Sequence, residues 1–333
     1  MTQVDRAQSS LVLRGRHGHA RVAVLTIIDE EFDAAQTALG AMNEVGVTGV
    51  FSPISGSKAT HPFVLAQSSD RSNTPASNTL SQLVEYFRPE VFLVVGIAGG
   101  IQRSKQGPAN RTLWDGPRPG DVVVANYIHY GEFTKNLDRQ QYARYFALDH
   151  PSSHLISAHA RTIERNGGSS WCKEIKARRP TAGVPIVRVG ELIAIECIAG
   201  DPKSEKEIHL LRRFDNAIAV DMESMGIARA LHELRNSVHY NPTWMCIRGI
   251  SDRVREKSTE ASRTTLERGN NAERAQWKKY AAAAASTFAK RTLERLLCCK
   301  RLPVPADPGA PAWTFRSNNP PSRLSDPSGT MKA

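Results

Sequence analysis

Several things are scarce in this chain, and each scarcity removes a class of protein. Cysteine is one: there are five in 333 residues, an odd number. Cys172, Cys197, Cys246, Cys298 and Cys299 show no CxxC spacing, which argues against a disulfide framework or a zinc clip and suits a reducing cytoplasm. Long apolar runs are missing too, and none approaches the roughly 18 residues of a membrane span. Near the start only Leu11-Val12-Leu13 is apolar, too short for a signal-peptide core. The chain is therefore expected to be cytoplasmic, with no membrane partner. The histidines show no ligand spacing with acids or thiols, so neither a metal nor an organic cofactor is expected. Aromatic residues are only 7% of the chain and lie mainly in apolar segments. A nucleic-acid surface would interleave them with clustered Lys and Arg, so no nucleic-acid partner is expected.

Positive charge is in excess, with 44 Lys and Arg against 33 Asp and Glu, a net charge of +11. Residues 1–19 carry +2 of it and residues 300–333 carry +3. Both segments read as ends outside the core: a flexible N-terminal arm at 1–19 and a Pro-rich disordered tail at 300–333. The remaining segment, 20–299, holds +6. Half of that lies in 101–119, where Arg103, Lys105, Arg111 and Arg118 face one acid, Asp115.

Within 20–299 strand and helix patterns alternate. Arg21–Ile28, Val91–Ile97, Asp121–Ile128, Val184–Val189, Ala217–Val220 and Trp244–Ile250 read as strands. Helical patterns cover 30–42, 78–86, 154–164, 206–214 and 223–234, and Trp277 to Leu296 mark one face of a long final helix. The run VFLVVGI is apolar throughout, as a strand covered on both faces would be. This alternation predicts a single α/β domain, a three-layer α/β/α arrangement.

Ligands in open α/β sheets collect at the carboxyl ends of strands, and four such ends here carry chemistry. Asp29-Glu30-Glu31 follows the first strand, where acids also suit a helix N-terminus. Gly96-Ile97-Ala98-Gly99-Gly100 follows VFLVV and allows close backbone approach, without the GxGxxG spacing of a dinucleotide site. Val220-Asp221-Met222-Glu223 offers a fixed carboxylate that can accept two hydroxyls, although capping and core filling account for these residues equally well. Arg248-Gly249-Ile250-Ser251-Asp252 ends an apolar strand on an acid suited to proton donation. His129 and Tyr130 end another strand beside the expected site.

In this order and spacing the segments VAVLTIIDEEFDA, VVGIAGGI, GDVVVANYI, AIAVDMESMGIARA, CIRGISD and WKKYAAAAASTFAK resemble the nucleoside phosphorylase/nucleosidase superfamily. The similarity runs from about Arg21 to Leu297 and is strongest to the methylthioadenosine/S-adenosylhomocysteine nucleosidase branch. The resemblance implies a central mixed sheet and hydrolysis of a purine, first of all adenine, N-glycosidic bond. It implies Glu31 as the carboxylate that activates water and Asp252 as the acid that protonates purine N7. Ser251 and Arg248 support that acid, and Glu223 with Met222 holds the ribose hydroxyls. Ala98 and Gly99 lie beside the sugar and Ile198 beside the base. The partner is a small purine nucleoside or nucleotide, and the family often forms homodimers.

Three departures bear on base specificity rather than reaction type. Ile97 stands where a small hydroxyl residue is usual, Ala194-Ile195 replaces Ser-Gly, and Ile198 replaces an aromatic. The basic insertion at 101–119 suggests phosphate contacts from Arg103 and Lys105, and hence a nucleotide substrate. Phosphorolysis is the alternative reaction, but Glu31 would repel a phosphate nucleophile and TIIDEEF contains no arginine. A nucleotide-degrading or nucleotide-sensing effector role in stress or defence is the alternative setting.

Overall fold

In a computed structural model the described residues are 15–56, 60–107, 112–137, 140–145, 147–167, 170–197, 204–235, 240–255 and 263–298. The expected tail at 300–333 and most of the expected arm lie outside them. Twelve strands appear: β1 His19–Thr26, β2 Asn43–Glu44, β3 Val50–Ser52, β4 Thr60–Gln67, β5 Val91–Gln106, β6 Thr112–Asp115, β7 Val122–Tyr130, β8 Thr134–Leu137, β9 Gln140–Ala143, β10 Val187–Ala194, β11 Ala217–Asp221 and β12 Thr243–Arg255. The helices are α1 Asp29–Leu39, α2 Asn73–Phe87, α3 in three abutting turns (Ser153–Leu155, Ile156–Ala160, Arg161–Gly167), α4 Glu205–Arg213, α5 Ser224–Leu234 and α6 Arg263–Cys298. Among the described residues no helix is long and apolar enough to cross a membrane.

The main sheet runs β11-β10-β7-β12-β5-β1-β4-β3-β2, with β6 paired on the extension of β5. It is mixed: β12 runs parallel to β5 and antiparallel to β7. Alternate strand residues feed two cores, as the period of two requires. Ala23 and Leu25 of β1, with Trp244 and Cys246 of β12, pack under α2 and α5. Val22 and Val24, with Met245 and Ile247, pack under α1, α3 and α6. This is the three-layer α/β/α architecture that the alternation predicts.

One end of the sheet goes further than the sequence suggested. Val220 and Ala219 of β11 pair antiparallel with Gly99 and Gly100 of β5. That contact closes β5, β12, β7, β10 and β11 into a ring, so the motifs of β5, β11 and β12 line one rim instead of a row. The alanine run of α6 has a matching cause. A Cβ on Gly249 would sit 2.0 Å from the Ala281 carbonyl, so the helix lies directly on β12.

Several boundaries differ from expectation. β4 (THPFVLAQ) is the second strand to pair with β1, and its His and Pro disguised the pattern. The strand expected at 184–189 begins at Val187 and continues to Ala194, with Val184 and Ile186 exposed. The insertion at 101–119 is not a simple loop. β5 continues through it to Gln106 and pairs antiparallel with β6.

Candidate active site

The carboxyl ends of β1, β5, β11 and β12 meet around one cleft. Its lining includes Ile27, Ile28, Glu31, Ile97, Ala98, Gly99, Met222, Glu223, Ser251 and Asp252. The expected site residues Glu31, Ala98, Gly99, Met222, Glu223, Ser251 and Asp252 are thus brought together. Ile198 lies outside the described residues.

The three acids that open α1 have separate fates. Asp29 is exposed and accepts from Gln67 Nε2. Glu30 is paired with Lys278 of α6. Glu31 alone is buried, at 3% exposure. Its Oε2 accepts the main-chain N–H of Ile27 at 2.8 Å and Ile28 at 3.2 Å. Its Oε1 accepts the N–H of Ile97 at 2.7 Å. Burial raises its pKa, opposed by Arg248 and those amides. Gly96 makes the meeting possible, because a Cβ there would lie 2.7 Å from Glu31 Oε1 and 2.3 Å from Arg248 Nη1.

Arg248 is wholly buried beneath this floor. Its Nη2 lies 2.5 Å from Asp221 Oδ2 and 3.7 Å from Glu223 Oε2. Burial penalises its charge, but the surrounding Asp221, Glu223 and Glu31 hold its pKa above the usual arginine value. Arg248 therefore supports the site from below and does not line it. Asp221 also accepts from the Ser224 hydroxyl and N–H, so it both holds the first residue of α5 and serves as the counter-ion of Arg248.

Glu223 makes no capping bond and turns to the cleft. Its pKa is raised to about 7, first by burial and then by Asp221 and Glu31, against Arg248 and the Ser72 N–H. Asp252 owes its position to a bulge. Ile250 pairs with Ala98 while Asp252 pairs with Gly99, leaving Ser251 as the extra residue. An extra residue re-aims a strand's side chains, and here both Ser251 and Asp252 reach the cleft. Ser251 Oγ lies 2.5 Å from Asp252 Oδ1 and 3.4 Å from the Ala98 carbonyl.

The expected phosphate ligands are elsewhere. Neither Arg103 nor Lys105 lines the cleft. Arg103 donates to the carbonyls of Leu211, Phe214 and Ala217, which ties the end of α4 to β11. Lys105 pairs with Asp115 across the exposed β5–β6 hairpin. His129 is likewise outside the lining, bound to Glu191 at 2.9 Å, and so is Tyr130. Two cations that sequence reasoning passed over do line the cleft: Arg71, from the turn before α2, and Arg274, from α6. Neither stands in a recognisable motif, so only the fold could reveal them. Cys197 also reaches the lining, half-buried, with its thiol pKa pushed up by burial.

Residues 21–294 match the Phosphorylase superfamily, and the chain belongs to that family. A curated relative from Staphylococcus epidermidis, 5′-methylthioadenosine/S-adenosylhomocysteine nucleosidase, is 20% identical over 214 residues, covering 64% of this chain and 81% of the relative. The same fold occurs in the methylthioadenosine/S-adenosylhomocysteine nucleosidase of Helicobacter pylori, with a TM-score of 0.58 and 16% identity over 84% of this chain and 99% of that one. It occurs again in the futalosine hydrolase of Helicobacter pylori, with a TM-score of 0.57 and 15% identity over 83% and 98% of the two chains.

Proposed function

We propose that this protein hydrolyses the N-glycosidic bond of a purine nucleoside or nucleotide, with adenine as the first candidate base. Asp252 delivers a proton to N7 as the C1′–N9 bond breaks. A general acid in such a position contributes typically ~10²–10⁴-fold. Glu223 accepts the ribose hydroxyls, and its negative charge favours the oxocarbenium-like sugar that forms. Glu31 takes a proton from water as the water oxygen bonds to C1′. The products are the free purine and the free sugar; Glu31 returns its proton to solvent, and solvent reprotonates Asp252. The relatives named as nucleosidases support the same bond as the one cleaved.

The observation that carries hydrolysis over phosphorolysis is the hydrogen bonding of Glu31. Main-chain amides at a strand–helix turn are where a phosphate dianion binds well. Here those of Ile27, Ile28 and Ile97 are satisfied by an internal carboxylate. An incoming phosphate would have to displace it and meet its charge.

Turnover in ¹⁸O-labelled water tests this. The expected result is one labelled oxygen at C1′ of the sugar and a rate independent of added orthophosphate. Strict phosphate dependence with a sugar 1-phosphate product would overturn it.

A further inference from the structure

Arg71 and Arg274 come from different elements yet line the same cleft. Arg71 lies within electrostatic reach of Glu30 at the start of α1. Lys278, which pairs with Glu30, sits four residues after Arg274, and residues at that spacing share a helix face. Both arginines are thus related to the same point, Glu30 at the start of α1, and both line the cleft. Lys278 neutralises Glu30, and Asp29 is not part of the lining.

Among the described residues neither guanidinium has a hydrogen bond or an ion pair, although both line the cleft. Other arginines nearby are engaged, Arg248 by Asp221 and Arg253 by Glu273. The turn that carries Arg71 is also held in place. Ser72 adopts a left-handed backbone, φ 89°, and its N–H donates to Glu223. Its hydroxyl donates to Glu196 at 2.7 Å, and Asn73 Nδ2 donates to the same carboxylate at 2.5 Å. Residue 71 is thus anchored beside the acid assigned to the ribose, on the solvent side of it.

With the base at Asp252 and the sugar hydroxyls at Glu223, the 5′ carbon is the group left to face the open rim. A neutral 5′ substituent has no use for two guanidiniums that line the cleft unpaired among the described residues. A phosphate matches them, because arginine forks pair with phosphate oxygens bidentately. We propose that Arg71 and Arg274 receive a 5′-phosphate, so that the substrate class is a purine nucleoside 5′-mono- or polyphosphate. The inference rests on the N-glycosidic reading above. No P–O bond changes: C1′–N9 breaks, the water oxygen bonds to C1′, and the phosphate leaves on the sugar product.

The test uses the full chain with adenosine, methylthioadenosine, AMP, ADP and ATP, with and without orthophosphate, following adenine release. The parent is expected to prefer at least one nucleotide over adenosine in kcat/KM. In Arg71→Ala and Arg274→Ala that preference should fall about tenfold each, equivalent to about 1.4 kcal/mol, mainly through KM. Arg71→Lys should recover part of the loss.

An equal fall for adenosine and nucleotides would assign the arginines a structural role and overturn the proposal. So would a parent that cleaves adenosine as well as it cleaves AMP, ADP and ATP. AMP and adenosine binding to Asp252→Asn, measured by calorimetry, separates the two ideas. Tighter AMP binding that depends on both arginines supports the rim proposal even if no purine is released by the parent, an outcome that would sink the hydrolysis reading alone. Rescue of the arginine variants by orthophosphate, with strict phosphate dependence, would overturn both.

Discussion

The floor and the rim of the cleft use charge in opposite ways. On the floor, Glu31, Asp221, Glu223 and Arg248 are buried: Arg248 Nη2 lies 2.5 Å from Asp221 and 3.7 Å from Glu223, and main-chain amides hold Glu31. At the rim, Arg71 is exposed and Arg274 half-buried, and neither is paired among the described residues. Buried charges are costly to leave uncompensated, so a floor of this kind tolerates little change. Solvated charges contribute little to folding, so a rim can be altered to suit a substrate. The lesson is that paired, buried charges and unpaired, solvated ones line the same cleft at different stability costs, and the proposed function assigns chemistry to the first and selectivity to the second.

The largest effect that would sharpen this contrast belongs to Asp252. Asp252→Asn keeps the shape and removes the acid, so kcat should fall by about 10²–10⁴-fold, with a circular dichroism melt close to the parent's. A melt that collapses along with activity would mean that Asp252 is structural.

Arg248 comes next. Arg248→Met leaves Asp221 buried without its cation, and breaking such a pair costs about 3–5 kcal/mol. Urea denaturation should show that loss, whereas Arg71→Ala should stay within about 0.5 kcal/mol of the parent. Equal losses would erase the distinction between floor and rim. Gly96→Ala is a gentler probe of the same floor. The new methyl would push Arg248 and Glu31 apart, at a cost of about 1–3 kcal/mol and with a fall in kcat.

Titration of the floor should act on activity and stability in opposite senses. Glu223 must be ionised to accept two hydroxyls, and its pKa is raised to about 7, so kcat/KM should fall as pH drops through that value. For folding the sign reverses. The folded state holds this proton more tightly than the unfolded chain, where the carboxyl has its ordinary value of 4.5. Stability from this group is full below that value and declines as pH rises towards 7. Urea midpoints at pH 5 and pH 8 should therefore differ more in the parent than in Glu223→Gln. An equal difference in both would show that Glu223 does not titrate between those values.

Much of this was legible along the chain. Strand–helix alternation gave the three layers, the strand ends marked four segments that carry chemistry, and the resemblance to the nucleosidases singled out Glu31, Glu223 and Asp252. Local patterns could not rank the three neighbouring acids of α1. That choice depends on Lys278, 248 residues from Glu30, and on the amide of Ile97. Basic composition near 101–119 drew attention to Arg103 and Lys105, because charge in a sequence carries no direction. In the fold one is consumed by helix-end carbonyls and the other by a cross-strand acid.

Two things were therefore determined by the sequence alone. Apolar periodicity marked most of the central strands and helices, because burial on one or two faces writes its period locally. The order of the four motif ends dictated the family and the kinds of chemical group at the site. The tertiary structure decided what depends on contacts far apart in the chain. Pairing of β11 with β5 bends the motif ends into one rim, and the bulge at Ser251 turns Asp252 into the cleft. The fold puts Arg71 of the β4–α2 turn and Arg274 of α6, about 200 residues apart in the chain, in the lining of one cleft. Each of these is a meeting of backbones or charges in space, and no local pattern encodes it.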